Sequence, residues 1–386
     1  MRRCLPLGIL CAALLAAPAH ATVRKAPAGT KFYSAPSKLV KGSHGGLIWA
    51  RTFSGRERLK GGARDALVLY RSTGVDGKSV AVSGDVAIPR GKAPKGGWPV
   101  ITWAHGTTGI ADSCAPTRLD SAAQPSLLAQ WLKRGYAVLR TDYQGLGTPG
   151  VHPYLNGLAE GRSVLDIVRA ARKLDKRIGK RIVIAGHSQG GHAALWAADL
   201  APRYAPELKV RGTVAFAPAS HTGEQFGLAG GINTPGGGTT GFGSLIIRGA
   251  DVADPALGIP GLLTPQASAL YGETLTECGD KLATSSSWGG LAPSQIFRSD
   301  ADLTQLIAFL NTKVDPEDLR IRTPVRVEQG TADTTVLPGF TDQLVQSYTQ
   351  NGVPVTYKTY PGIDHGHVVT GASAADATKW IRARLP

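Results

Sequence analysis

The sequence predicts an α/β protein built on a mostly parallel sheet, and three observations carry that prediction. Short runs rich in β-branched residues recur along the chain, most of them apolar at consecutive positions, as parallel strands covered on both faces are. Stretches with helical spacing lie between them, the alternation that βαβ units produce. At one strand-to-helix junction stands Gly186-His187-Ser188-Gln189-Gly190, a turn too tight for bulky neighbours.

The elements follow in chain order. In "DALVLYRSTGVDGKSVAVSGDVAIP" two β-branched stretches flank Asp76-Gly77 and predict an antiparallel hairpin of residues 66–73 and 79–88. Further strands are expected at 100–105, 137–143, 181–187, 210–217, 324–330 and 355–360. Helical spacing occupies "SVLDIVRAARKLDKR", where Val164, Val168 and Ala171 share a face, then Gly191 to Leu200, and "FTDQLVQSYTQNG", which closes on the C-cap signal Asn351-Gly352. From Pro218 to about Arg320 the alternation stops. This segment opens glycine-rich at 227–243 and later places Leu303, Leu306, Ile307 and Leu310 at i, i+3, i+4 and i+7, an amphipathic helix. Long segments of this kind in compact domains are usually functional. Residues 218–320 are therefore expected to be a cap or lid inserted between the two parts of one core domain, 22–217 and 321–386. No internal repeat of fixed period is visible.

The first residues, "MRRCLPLGILCAALLAAPAHA", combine two arginines, an apolar run and Ala19-His20-Ala21, which predicts a signal peptide over 1–21. Leu10 stands where a lipoprotein signal needs a small residue before Cys11. Nothing after Ala21 approaches the roughly 18 consecutive apolar residues of a membrane span, so a soluble protein, secreted or periplasmic, is expected. Cleavage removes two of the four cysteines. In an oxidising compartment the remaining pair, Cys114 and Cys278, is read as a disulfide. The formal charge of +15 suits anionic surfaces, but no basic run interleaved with aromatics is present, and no nucleic-acid partner is expected.

The chemistry centres on the G-x-S-x-G turn. A strand, a sharp turn and a helix present the serine hydroxyl at the carboxyl edge of the sheet, beside a helix N-terminus. Ser188 is the candidate nucleophile. A serine hydroxyl needs a base to take its proton, and the base needs an acid to fix its tautomer. In this architecture the order is Ser, Asp or Glu, His. Asp333 stands just beyond the strand 324–330 and is preferred to Asp302, Asp315 and Asp318, which lie in or beside a helical stretch. The oxyanion of acyl transfer needs backbone donors: the N–H of Gln189, after the nucleophile, and the N–H of Thr107, in the loop "HGTTG" after strand 100–105. His105, His187 and His192 are read as structural, since the base should come last in the chain.

Together "HGTTG", "DYQGLGTPGVHPYL", "AGHSQGGHAALWAA", "GTADTTVLP" and "YPGIDHGHV" resemble the secretory lipase family of α/β-hydrolases, from about residue 30 to 386. The resemblance implies an α/β-hydrolase core with a cap over an apolar acyl tunnel, and hydrolysis of carboxylic esters with no cofactor. It implies Ser188 as nucleophile, Asp333 as acid and His365 as base, with Asp142 and Tyr143 in a loop bordering the site. The partners expected are an ester or lipid substrate and a lipid–water interface, met by a monomer.

Two histidines compete for the role of base in "YPGIDHGHVVT". Gly366 leaves room for substrate beside His365, whereas His367 runs into Val368-Val369, which are expected to pack under the last helix. Residues two apart in an extended loop are displaced by about 6 to 7 Å, too far for both to reach Ser188. His365 is therefore taken as the base, and its neighbour Asp364 is set aside as the acid because Asp333 comes from the right strand. A zinc site at Asp364, His365 and His367 is a weaker reading, because the remaining ligands are unclear, and no metal is expected. A peptidase or amidase would use the same constellation, and a non-catalytic binding protein could keep the same fold. Against the first stand the lack of a propeller-like repeat and the glycine-bearing, apolar-rich segment at 218–320.

Overall fold

The computed structural model describes residues 24–55, 58–119 and 126–386. The segment 1–21, expected to be a signal peptide, lies outside the described residues. Among the described residues nine strands form one sheet: β1 (Leu47–Thr52), β2 (Arg64–Thr73), β3 (Ser79–Ile88), β4 (Trp98–Ala104), β5 (Ala137–Thr141), β6 (Ile178–His187), β7 (Lys209–Phe216), β8 (Val325–Gly330) and β9 (Val355–Tyr360). Their spatial order is β1-β2-β3-β5-β4-β6-β7-β8-β9. The pairs from β1 to β2, β2 to β3 and β3 to β5 are antiparallel and all others are parallel. The strand order reverses between β4 and β6. At such a switch point the loops leaving the two strands diverge and open a crevice at the carboxyl edge.

The sheet is covered on both faces, and β6 shows how the sequence arranges this. Ile182 and Ile184 belong to one buried cluster, and Val183 and Ala185 to another, so consecutive apolar residues serve opposite faces. On the first face pack α2 (Gly157–Leu174), α3 (Gln189–Tyr204) and α7 (Pro338–Gln350). On the second pack α1 (Ser126–Lys133) and α8 (Gly371–Arg384), whose Trp131, Trp380 and Ile381 meet Trp103, Val214 and Phe216.

The elements match the expectations with instructive differences. Strand 137–143 ends at Thr141, because Tyr143 turns to φ +70° and carries the chain out of the sheet. Helix α2 begins before Ser163: the Asn156 side chain accepts the Ala159 N–H at 3.1 Å and caps the first turn. Helix α3 reaches back to Gln189 and on to Tyr204. Strand β1 and helix α1 were not among the expected elements, although Leu127, Leu128, Trp131 and Leu132 of α1 recur at helical spacing and are buried on one face.

Between β7 and β8 the chain makes a helical excursion. It includes α4 (Thr222–Ala229), α5 (Gly238–Ala253) and α6 (Thr304–Phe309), the last continuing into a π-turn over Leu310–Val314. Its core, with Leu245, Ile247, Ile259, Trp288 and Leu306, is continuous with Ile110, Tyr154 and Leu155 from the loops above the sheet. Its two necks are tied together. Asp315 accepts the Thr222 N–H at 2.7 Å and the Gly223 N–H at 3.1 Å, and Glu317 accepts the His221 N–H at 2.7 Å. A disulfide joins Cys114 to Cys278 with Cα atoms 5.6 Å apart, linking the loop after β4 to the excursion.

Candidate active site

Ser188 sits at the β6-to-α3 turn with φ +58° and ψ −121°. A non-glycine residue is rarely held there unless its surroundings over-determine it. Here the Ser188 N–H donates to Phe216 O at 2.9 Å and its carbonyl accepts the His192 N–H at 3.0 Å. The flanking glycines are required by contact. A Cβ on Gly190 would lie 1.9 Å from Ala104 O, and one on Gly186 would lie 2.0 Å from Gly190 O.

The other sequence-predicted groups converge on the same edge. Asp333 follows β8 and His365 follows β9, and the two loops are stitched together: Ala332 N–H donates to Ile363 O at 3.0 Å, and Gly362 N–H to Thr331 Oγ1 at 2.9 Å. His365 Nδ1–H donates to Asp333 Oδ2 at 2.7 Å, with the carboxylate fully buried and the imidazole 18% exposed. The carboxylate accepts three further donors, from Gln329 Nε2 at 3.0 Å and from the N–H groups of Thr335 and Val336 at 2.9 and 2.8 Å. Burial alone would raise the Asp333 carboxyl; the His365 ring and these N–H groups reverse that and hold it below the usual carboxylate range.

The loop after β4 reaches Ser188. A Cβ on Gly106 would stand 3.6 Å from Ser188 Cβ, so the backbone leading into Thr107 passes beside the serine. Thr107 Oγ1 lies 2.5 Å from the Tyr154 hydroxyl. Tyr143, in its left-handed conformation, donates its hydroxyl to His105 O at 2.9 Å and so holds the start of this loop. Gly279 N–H donates to Thr108 O at 3.0 Å, which ties the loop to the excursion next to the disulfide.

The remaining histidines and acids have separate places. His367 is 71% exposed and pairs with Asp364, Nδ1 to Oδ1 at 2.8 Å, so the two histidines of "DHGH" turn to different carboxylates. Val368 and Val369 are buried with α8. His105 is buried, its Nδ1–H donating to Gly106 O at 2.6 Å, and burial lowers its pKa to about 4. His192 has no exposed surface and lies behind the turn. Asp302 caps Thr304 at 2.9 Å, Asp315 caps α4 and Asp318 is exposed. Asp142 is enclosed by Ser83 and Thr117, at 2.6 and 2.5 Å, and burial raises it to about 6.

Sequence reasoning passed over two contacts. His187 Nε2–H donates to the His365 carbonyl at 2.8 Å and its ring lies 4.6 Å from the His365 ring, so the residue before Ser188 pins the histidine loop. Burial, then the nearby His365, lowers His187 to about 3, which keeps it neutral. Tyr154 lies inside the quoted stretch "DYQGLGTPGVHPYL" and His187 inside "AGHSQGGHAALWAA", but nothing in those stretches marks their contacts with Thr107 and His365.

Comparison with known proteins completes the picture. The family model of the secretory lipases matches residues 117–245, which hold Ser188, Asp142 and Tyr143. Over that stretch the chain is similar to the secretory lipases. Lipase A of Moesziomyces aphidis is 30% identical over 232 residues, 55% of this chain and 47% of that relative, so the aligned stretch spans about half the relative's length. A secreted triacylglycerol lipase, LIP5, of Malassezia globosa is 24% identical over 343 residues, covering 82% of this chain and 69% of the relative. The structure of Candida antarctica lipase A superposes with a TM-score of 0.77 at 20% identity, over 92% of this chain and 86% of that one. The nine-stranded sheet, with helices on both faces, is the α/β-hydrolase fold.

Proposed function

We propose that the protein is an exported serine hydrolase that cleaves carboxylic esters of lipid-like acyl substrates through Ser188, His365 and Asp333. The observation that carries this reading is the 2.7 Å bond from His365 Nδ1 to a buried, four-fold hydrogen-bonded Asp333, on the sheet edge where the strained Ser188 stands. With Nδ1–H committed to Asp333, the Nε2 lone pair of His365 is free to take the Ser188 proton as the hydroxyl attacks the ester carbonyl. The oxyanion is met by the N–H of Gln189, at the N-terminus of α3, and the N–H of Thr107. His365 then protonates the leaving alcohol, and a water activated by the same nitrogen hydrolyses the acyl-enzyme. No cofactor takes part in these steps.

The excursion, residues 218–320, acts as a cap between the two parts of the core, 22–217 and 321–386. Its apolar interior continues onto Tyr154 and Leu155 beside the oxyanion loop, which suits a hydrocarbon chain. Leu228 and Ile232, 64% and 45% exposed on the excursion, suit contact with a lipid–water interface. Export follows from the segment 1–21, cleaved after Ala21, and agrees with the secreted relative. The protein acts as a monomer.

The test is hydrolysis of p-nitrophenyl esters from acetyl to palmitoyl by the wild type and by Ser188→Ala, with fluorophosphonate labelling of both. The variant should lose several orders of magnitude in kcat and fail to label. Normal turnover by Ser188→Ala would refute the mechanism. Failure of the folded wild type to label would favour a binding protein, and turnover of peptides alone would favour a peptidase. Across the ester series a maximum at long chains that rises with an emulsified interface identifies a lipase, and a fall beyond butyrate an esterase.

A further inference from the structure

Beneath the nucleophile turn lies a closed polar network that the proposed mechanism does not use. Glu160, in the first turn of α2, has no exposed surface. Its Oε1 accepts the Leu155 N–H at 3.0 Å and the Gln189 side-chain amide at 2.7 Å. Its Oε2 lies 3.1 Å from His192 Nδ1. The second amide hydrogen of Gln189 reaches His152 Nε2 at 2.9 Å, while His152 Nδ1–H donates to Gln144 O at 2.9 Å. His192 Nε2–H donates to Val314 O at 2.6 Å, a carbonyl that also accepts Trp196 Nε1–H at 2.9 Å.

The proton inventory closes. His152 donates at Nδ1, so its Nε2 lone pair is what Gln189 meets. His192 donates at Nε2, so one proton is shared between its Nδ1 and Glu160, and the pair carries no net charge in either arrangement. None of these side-chain atoms is without a partner. A buried carboxylate is costly unless fully paired, and a fully paired network makes its neighbours rigid.

What the network holds is next to the chemistry. Gln189 supplies the backbone N–H proposed for the oxyanion, and both hydrogens of its side-chain amide are fixed. Two strained positions adjoin the network: Ser188 at φ +58°, which precedes Gln189, and Leu155 at φ +58°, whose own N–H is bound by Glu160. Such conformations persist only where neighbouring groups hold them. At the other end, Val314 is the last residue of the π-turn where the excursion returns to the core. The same carboxylate thus connects the nucleophile turn to the neck of the excursion.

We propose that Glu160 is a positioning residue for ester hydrolysis: through Gln189 it aims the peptide N–H that stabilises the oxyanion, and through His192 it sets the elbow helix against the neck of the cap. This rests on the ester-hydrolase reading above. Glu160→Gln preserves the geometry, because its carbonyl oxygen still accepts from Leu155 and Gln189 and its amide donates to the Nδ1 lone pair of neutral His192. Glu160→Ala releases Gln189 and leaves His192 unpaired at Nδ1.

The experiment measures kcat and KM on p-nitrophenyl butyrate, and the inhibition constant of an alkyl boronic acid, for wild type, Glu160→Gln, Glu160→Ala and Gln189→Ala, with thermal melts to confirm folding. Removal of a whole oxyanion donor costs about 100- to 1000-fold in kcat; a mis-aimed donor should cost about 10- to 100-fold. Glu160→Ala and Gln189→Ala should show that loss with KM within about threefold, the boronate should weaken in parallel, and Glu160→Gln should stay within about threefold of wild type. If Glu160→Ala does not fold, Gln189→Ala decides, since it cuts the side-chain link from the network to the oxyanion peptide. Wild-type kcat in a folded Glu160→Ala or Gln189→Ala, a loss without boronate weakening, or equal damage in Glu160→Gln overturns the inference. An active wild type with a dead Ser188→Ala confines any such failure to Glu160; an inactive wild type removes both readings.

Discussion

Asp333→Asn tests the proposed acid most directly, because the structure says which way the substituted amide must turn. The carboxylate accepts two backbone N–H groups at Oδ1 and two side-chain donors, His365 and Gln329, at Oδ2. An asparagine offers one acceptor oxygen and one NH2 group, so the NH2 must face donors on one side. The backbone N–H groups of Thr335 and Val336 cannot reverse. The imidazole can, by moving its proton from Nδ1 to Nε2 and accepting at Nδ1. The amide therefore turns its NH2 towards His365 and traps the tautomer that cannot take the Ser188 proton. Losing one or two charge-assisted bonds costs about 2 to 4 kcal/mol of stability. The wrong tautomer costs about four orders of magnitude in kcat, or about 5.5 kcal/mol of barrier. Thermal melts and p-nitrophenyl butyrate kinetics read the two quantities. A folded variant within tenfold of the wild-type kcat would refute the assignment of Asp333, and a loss confined to KM would place it in binding instead.

Three further outcomes follow from the geometry. His365→Ala should abolish turnover, whereas His367→Ala, which breaks only an exposed pair with Asp364, should leave kcat within about twofold and stability within about 1 kcal/mol; equal losses would place the base at neither histidine alone. Cys278→Ser should lower stability by about 2 to 4 kcal/mol and soften the oxyanion loop, because the bridge and the Gly279-to-Thr108 bond hold the same segment; reductant should reproduce the shift in the wild type and not in the variant. Asp142, raised to about 6 by burial against an ordinary value near 3.9, binds its proton more tightly folded than unfolded, so its contribution to stability falls as pH rises from about 4 to about 6. The melting temperature of wild type relative to Asp142→Asn should fall across that window and level off above it, and a pH-independent difference would contradict the shift.

The sequence by itself determined the alternation of strands and helices and the glycine-flanked turn at Ser188. It also ordered the candidates Ser188, Asp333 and His365 along the chain. These are legible because they are local: β-branched runs, helical spacing, and glycines where a Cβ would collide with Ala104 O or Gly190 O. The edge strand β1 was not legible, since its apolar residues follow no clean period and its place is set by what it packs against, whereas α1 carries helical spacing at Leu127, Leu128, Trp131 and Leu132 and was passed over. Only the tertiary structure decided which histidine faces which carboxylate. His365 and Asp333 are 32 residues apart and meet because β8 and β9 are parallel neighbours ending at one edge, whereas Asp364, three residues from His367, pairs with it locally. Tertiary contact alone likewise brought Glu160, His152 and His192 around Gln189, and His187 onto the His365 carbonyl. The crossovers of the sheet carry those groups together, and no spacing along the chain encodes a contact made across the sheet edge.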